Sequence, residues 1–398
     1  MIIGIMGAPL NNINLGCVAM CYSLITMFEA IRVKNNIDIQ YIIFDYKYDA
    51  QKYDEMCDVL GVERSRVIFG GCGNISDPVR IIKHFPGLYR MFSNVRKCNF
   101  IVDMTEGDSF SDIYGDVIFL GRTNVKLLIE RMGISLILGP QTYGPYLKPN
   151  NLKKALKAIN NAHLVFSRDV LSSELVRKNG RKDIIQAIDM AFILPYKKAE
   201  ETADGRRPVR IGINVSSMLY SDVNEMKVQR FQLRTDYKVC IEEIIKKYEY
   251  DNLFEIYLIP HVELDDKANR AIGKRHPNIK IISPCSNPVE VKSIISTMDL
   301  FIGARMHGTI AAFSSGVACI PMSYSRKFIG LYKSLGYDYV IDLEQLETKD
   351  AFERISKYVD EYQVLKKRVD DCKQICERMT NKIRAVFEKE VIWFSRFE

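Results

Sequence analysis

Short apolar runs alternate with amphipathic stretches along most of the chain, the rhythm of a mainly parallel sheet covered by helices on both faces. Residues 2–6 read as a first buried strand, after which Cys17, Cys21, Leu24, Ile25, Phe28 and Ile31 recur at helical spacing. Residues 41–44, 66–69, 100–104, 135–138 and 164–166 continue the strand series. Gly180 is placed to close the helix that follows the last of these. Polar, charged residues 196–210, with Gly205 and Pro208, then interrupt the pattern as a linker. The rhythm restarts with strands at 211–215, 254–259, 279–282 and 300–302 and a helix over 237–248. A capped helix start follows at Asn287, Pro288 and Glu290. From about Lys349 onward Phe352, Ile355, Val359, Tyr362 and Val369 recur every three or four residues, predicting a long helical segment. The expectation is an α/β protein of two Rossmann-like, doubly wound parallel-sheet domains. The first covers residues 1–200; the second covers 205–398 and carries the C-terminal helices.

The chain has 398 residues, too long for one ordinary core, and 47% hydrophobic with 26% charged residues is a globular composition. The net charge of +7 is spread along the chain without a basic arm, which argues against nucleic acid. It fits an anionic small substrate or peripheral contact with an acidic membrane surface, and selects neither. Residues 1–7 are apolar but short and lack a leading cation, so they read as a strand and not an export signal; a cytoplasmic location is expected. Residues 298–322 are the nearest approach to a membrane span, but Arg305 and His307 fall within them. The ten cysteines show no metal-finger spacing and read as small buried residues of a reducing compartment.

The most informative segment runs from Asp299 to Ala312. A strand ends near Gly303 and a helix of small residues begins near Gly308, so Arg305 and His307 lie at a strand's carboxyl end, where open α/β sheets place ligands. The amides of the helix start add an anion-binding field. A guanidinium suits carboxylate or phosphate, and an imidazole, titrating near ~6.5 when unperturbed, can give and take a proton. The structural alternative is an arginine on backbone carbonyls and a core histidine; four features coinciding at one turn favour function. Arg168, in Ser167-Arg168-Asp169, is a second cation at a strand end, though Asp169 could simply cap the next helix. The loops with Asp108, Ser109 and Asp112 and with Gln141 could hold sugar hydroxyls or be tight turns. Asn14 and Gly16 open the first helix in a loop lacking a Walker lysine. His261 follows a strand and faces either a cleft or solvent. Lys327, after another strand, is a candidate phosphate contact, and His84, His163 and His276 read as surface residues.

Taken in order, these features resemble the polysaccharide pyruvyl transferase family over roughly residues 1–340. They are Asn14–Gly16, Gly107–Phe110 with Asp112, the Gly139–Pro145 loop, Ser167-Arg168-Asp169, Asp189, the Gly303–His307 turn, Gly316, and Tyr324 with Lys327. Two positions depart from the family pattern: Cys17 follows Gly16, and Glu106-Gly107-Asp108 replaces a triple-glycine loop. The resemblance implies a GT-B-like fold, no cofactor, phosphoenolpyruvate as donor and a glycan or lipid-linked sugar as acceptor. It further implies Arg168 and Arg305 as donor contacts and His307 in catalysis. Cell-envelope glycan synthesis at the inner face of the membrane would fit. Two rivals stand beside it: a GT-B-type glycosyltransferase or nucleotide-sugar epimerase, and a non-catalytic glycan-binding member of the fold. The sequence leaves open whether the chain forms a homo-oligomer.

Overall fold

The computed structural model describes residues 1–198, 207–220 and 233–397, the side chains of Arg326, Lys327 and Phe397 excepted. The described chain divides into two compact units. One comprises Met1–Asn12, Cys17–Leu194 and Arg378–Glu398; the other comprises Ile13–Gly16 and Pro195–Glu377.

The first unit holds a seven-stranded parallel sheet of β1 (Ile2–Met6), β2 (Gln40–Ile43), β3 (Val67–Phe69), β4 (Phe100–Asp103), β5 (Ser135–Gln141), β6 (Leu164–Ser167) and β7 (Ile185–Gln186). Its order is β3-β2-β1-β4-β5-β6-β7, so the winding reverses between β1 and β4. Helices Leu15–Asn35, Ala50–Leu60, Asp116–Arg131 and Pro149–Asn161 are among those that connect the strands. Leu15–Asn35 is long and apolar enough to cross a membrane, but 72% of its apolar window is buried inside the protein, as a core helix between two strands requires.

The second unit repeats the winding with six strands: β8 (Val209–Asn214), β9 (Phe254–Leu258), β10 (Lys280–Ile281), β11 (Leu300–Gly303), β12 (Ala318–Ser323) and β13 (Ile341–Asp342). The order β10-β9-β8-β11-β12-β13 reverses between β8 and β11. Residues 298–322 form β11, the buried helix Met306–Ser314 and most of β12, so the apolar stretch is sheet core.

Two expectations are corrected here. The C-terminal helices do not all belong with the second unit. Helix Tyr362–Phe394 begins there, but Arg378–Glu398 packs with the first unit. The cause is its apolar stripe of Ile383, Phe387 and Val391, all fully buried. The Phe387 ring lies 5.3 Å from Phe28 and 5.2 Å from Phe166, and Phe394 lies 5.2 Å from Phe100. Lys34 and Glu388 pair at 2.8 Å beside that seam. The linker read at 196–210 has its middle, 199–206, outside the described residues, and the units divide at Leu194 and Pro195.

His276 is the second correction. It is buried, with Nδ1 and Nε2 each 2.8 Å from a carboxylate oxygen, of Glu249 and Glu242 respectively. The acceptors lie far off in sequence, so local polarity gave no sign of this. Burial alone would raise Glu242; hydrogen bonds from Tyr220, His276 and Arg275 outweigh it and bring the carboxyl down to about 2. All ten cysteines are free thiols, seven of them buried.

Candidate active site

In the second unit, chemistry collects where the winding reverses. Arg305 and His307 follow β11, and the neighbouring strand β8 ends at Asn214. Asn214 is fully buried; its Oδ1 accepts the Arg305 amide at 3.1 Å and its Nδ2 donates to the Ile259 carbonyl at 2.9 Å. This ties together the ends of three strands. The Arg305 guanidinium grips the fully buried Asp265, with Nη2 to Oδ1 at 2.7 Å and Nε to Oδ2 at 3.2 Å. Asp265 also accepts the Ser217 amide and hydroxyl, both at 3.0 Å, and the Val262 amide at 3.2 Å. Burial works against the charge of Arg305, but Asp265 outweighs it, so the guanidinium is held firmly protonated. The fork is thereby oriented, and the pair carries no net charge of its own.

His307 stands half-buried in the first turn of helix Met306–Ser314. The segment Ile13–Gly16 packs in this unit, with Asn14 bridging Val262 and the Ile13 carbonyl accepting the Glu263 amide at 3.3 Å. Asn14 Oδ1 accepts the Gly16 amide at 3.0 Å, which fixes the turn into helix Leu15–Asn35. Gly16 then lies against the imidazole so closely that a Cβ there would come 2.1 Å from His307 Nδ1. Two motifs far apart in sequence therefore meet, and glycine is needed because of that approach. His261 is buried nearby; burial first, then the neighbouring His307 and Arg305 charges, bring it down to about 3. It is therefore neutral at any working pH, and its Nδ1 is without a hydrogen-bond partner among the described residues. Lys327 lies in the first turn of helix Arg326–Ser334, its side chain outside what the structure describes.

Gly16→Ala gives a sharp test of that contact. Alanine is a better helix former by ~1 kcal/mol, so the helix itself should not suffer. The added methyl must displace the imidazole, so turnover is expected to fall ~10²-fold, with the melting transition lowered by the clash at the root of the His307 side chain. Undiminished initial rates would show that the position of the ring does not matter.

In the first unit the reversal lies between β1 and β4, and the chain just beyond is strained. Thr105, Glu106 and Gly107 all take positive φ, at 43°, 52° and 82°. Asp103 Oδ1 holds this loop by accepting the Thr105 amide and hydroxyl, each at 2.7 Å. Asp103 Oδ2 pairs at 2.9 Å with Lys126, whose side chain is 1% exposed and whose ammonium lies 4.6 Å from the Phe110 ring centre. Arg122 braces the loop through Glu106 at 2.7 Å and the Ser109 carbonyl at 3.1 Å. Ser109 is buried and Asp108 partly exposed, accepting from the Tyr114 hydroxyl at 3.0 Å.

Arg168, after β6, is buried; it donates to Asp189 at 2.5 Å and to the Thr142 hydroxyl at 3.0 Å. Burial opposes its charge, and Asp189 and Asp108 more than compensate. Gly107 lies against this guanidinium, a Cβ there falling 2.6 Å from Nη1. Asp169 does cap the next helix, accepting the Ser172 amide at 2.8 Å, while the ion pair of Arg168 is made with Asp189. Gln141 is fully buried at the end of β5, donating to the Asp103 carbonyl at 3.0 Å while its Oε1 is without a partner among the described residues.

Asp112 is buried where two loops meet. Its oxygens accept the Leu147 and Lys148 amides at 2.8 and 3.0 Å and the Asn151 amide group at 3.1 Å. Burial would raise it, but those bonds hold the carboxyl below its usual range. It ties the two loops together. Asp265, Asn214, Asp103 and Lys126 went unread in the sequence. Asp103 did leave a trace, as the lone polar residue ending an otherwise apolar strand.

Two doubly wound parallel-sheet units, each with an arginine fixed at its strand ends, have the architecture of the GT-B-like class. The sequence matches the polysaccharide pyruvyl transferase family over residues 14–326, and the chain belongs to that family. AmsJ, an amylovoran biosynthesis protein of Erwinia amylovora, is 20% identical over 321 residues, covering 77% of this chain and 76% of that protein. Among solved structures, the UDP-GlcNAc 2-epimerase of Neisseria meningitidis bound to UDP-GlcNAc superposes with a TM-score of 0.55. It is 12% identical, with 96% of this chain and 99% of that one covered. HepE of Anabaena, in complex with UDP and glucose, gives 0.56 at 9% identity, covering 97% and 98%. Likeness at such identities establishes the fold alone. The enzyme is thus a pyruvyl transferase acting in polysaccharide synthesis, with a glycan as acceptor. Among the described residues, no group of three or more His, Cys, Asp or Glu is placed to hold a metal ion.

Proposed function

We propose that this transferase moves the enolpyruvyl group of phosphoenolpyruvate onto two hydroxyls of one sugar, closing a pyruvate ketal. The observation that carries the reading is the second unit's Arg305–Asp265 pair beside His307, the imidazole set against Gly16. Phosphoenolpyruvate places a carboxylate and a phosphate on three carbons. An oriented guanidinium and the amides of a helix start suit such an acid. His307 gives a proton to the methylene carbon, leaving an oxocarbenium-like C2. One sugar hydroxyl attacks C2 and returns a proton to His307; the C2–O bond to phosphate then breaks, the second hydroxyl bonds to C2 in its place, and its proton leaves with the phosphate. The products are the ketal and inorganic phosphate. His307 is the acid and base, and neutral His261 sits behind it without competing for the proton. In the first unit, Asp108 and the Arg168–Asp189 pair form that unit's own polar cluster at the strand ends.

The test is incubation of the full chain with phosphoenolpyruvate and a glycan acceptor, assaying phosphate release and a new ketal methyl group by NMR. Phosphate release that depends on the acceptor is expected. Release of UDP from a UDP-sugar, with phosphoenolpyruvate untouched, would replace this reading with glycosyl transfer.

A further inference from the structure

We infer that the first unit carries a docking surface for an anionic lipid bilayer on helices Pro78–Lys83 and Phe85–Val95. This inference does not rest on pyruvyl transfer. Helix Phe85–Val95 spends one face on the core, burying Leu88, Met91 and Val95. A second apolar face remains outside. Ile82 is 78% exposed, Val79 74%, Tyr89 71% and Phe85 60%, with Ile81 beside them at 41%. Five large apolar side chains stand exposed within eleven residues, and three of them, Ile81, Phe85 and Tyr89, line one cavity, an arrangement soluble surfaces rarely present without a binding role.

The patch is set among cations. Residues 76–97 contain Arg80, Lys83, Arg90, Arg96 and Lys97 against the single acid Asp77, a local balance of +4. Asp77 is already engaged, accepting the Arg80 amide at 3.0 Å and pairing with its guanidinium at 3.2 Å. A cavity of about 640 Å³ opens between helices Phe85–Val95 and Asp116–Arg131, and Ile81, Phe85 and Tyr89 of the exposed set line it together with Leu88, Leu127, Arg96 and Arg131. Apolar side chains ringed by Lys and Arg match the boundary of an anionic bilayer, where tails meet phosphates. The cavity has the character of a seat for one lipid tail, its two guanidiniums within reach of a headgroup. A second copy of this chain is a poorer occupant, because a two-fold contact would set like charges face to face.

The test is co-sedimentation of the full chain with phosphatidylcholine vesicles, with and without phosphatidylglycerol. Binding is expected only with the anionic lipid, and raised salt should weaken it. Replacing Ile82, Phe85 and Tyr89 together by Ser should lower partitioning at least ~10-fold, since each loses its apolar contact with the acyl boundary. Lys83→Gln with Arg96→Gln should lower it about fivefold per charge. Circular dichroism melts of both variants should match the parent, because the altered side chains are exposed. Indifference to phosphatidylglycerol, or equal partitioning of parent and variants, would overturn the inference. So would self-association, or binding of an acidic protein in place of vesicles, that the Ser variant abolishes.

Discussion

His307→Ala should cut ketal formation about 10²–10⁴-fold, the usual worth of a positioned acid and base, and leave the fold intact. The fold should survive because the first turn of helix Met306–Ser314 is held by its neighbours: Met306, Gly308, Thr309 and Ile310 are all buried. Alanine is also the better helix former at that position. Donor affinity should change little, since the oriented cation is Arg305. Arg305→Ala should do the converse, raising the KM for the donor more than it lowers kcat, and it leaves Asp265 buried without its partner. The pH profile separates a chemical role from a packing one. His261 stays neutral at any working pH, so a limb of kcat/KM that reports proton transfer at this turn should vanish in the His307 variant. Retained turnover would remove His307 from the mechanism.

Asp103→Ala should be the most destabilising of the simple substitutions, by ~3–5 kcal/mol, because it strands a buried ammonium. The same carboxylate also holds the Thr105 amide and hydroxyl, so the positive-φ turn above it should loosen. Burial already pulls Lys126 below its ordinary value, with Asp103 partly restoring it. Without Asp103, burial acts alone and the depression deepens. A base whose folded pKa lies under its unfolded value of ~10.4 costs stability at any pH below that value. The cost grows as pH falls and levels off once the folded pKa is passed. Calorimetric melts of the variant should thus lag the parent more at pH 7 than at pH 10. Adding Lys126→Met should restore much of the loss by removing the stranded charge. A variant melting like the parent at both pH values would show that this pair matters little.

Much of the fold was legible because it is written locally. The runs at 2–6, 100–104 and 300–302 fall on β1, β4 and β11, since a strand buried on both faces must be apolar throughout. The two-residue strands β7 and β13 left no such mark, whereas the equally short β10 lies inside the run read at 279–282. The Arg305–His307 turn could be read from a strand, a glycine and a small-residue helix in succession. Asp265 could not, because an aspartate in a helix's first turn looks the same whether it meets the dipole or a distant guanidinium. Nor could the approach of Gly16 to His307, which the tertiary fold alone creates. The stripe on helix Tyr362–Phe394 announced an amphipathic helix and was silent about which core would receive it.

That last seam bears on how the molecule is made. Phe28, Phe100 and Phe166 are among the early residues to leave the ribosome, whereas Phe387 and Phe394 leave some two hundred or more residues later. Domains ordinarily close in the order of their synthesis. Here the nascent amino-terminal lobe must wait with an aromatic face uncovered until the distal part of the chain arrives, an interval in which a chaperone would find it.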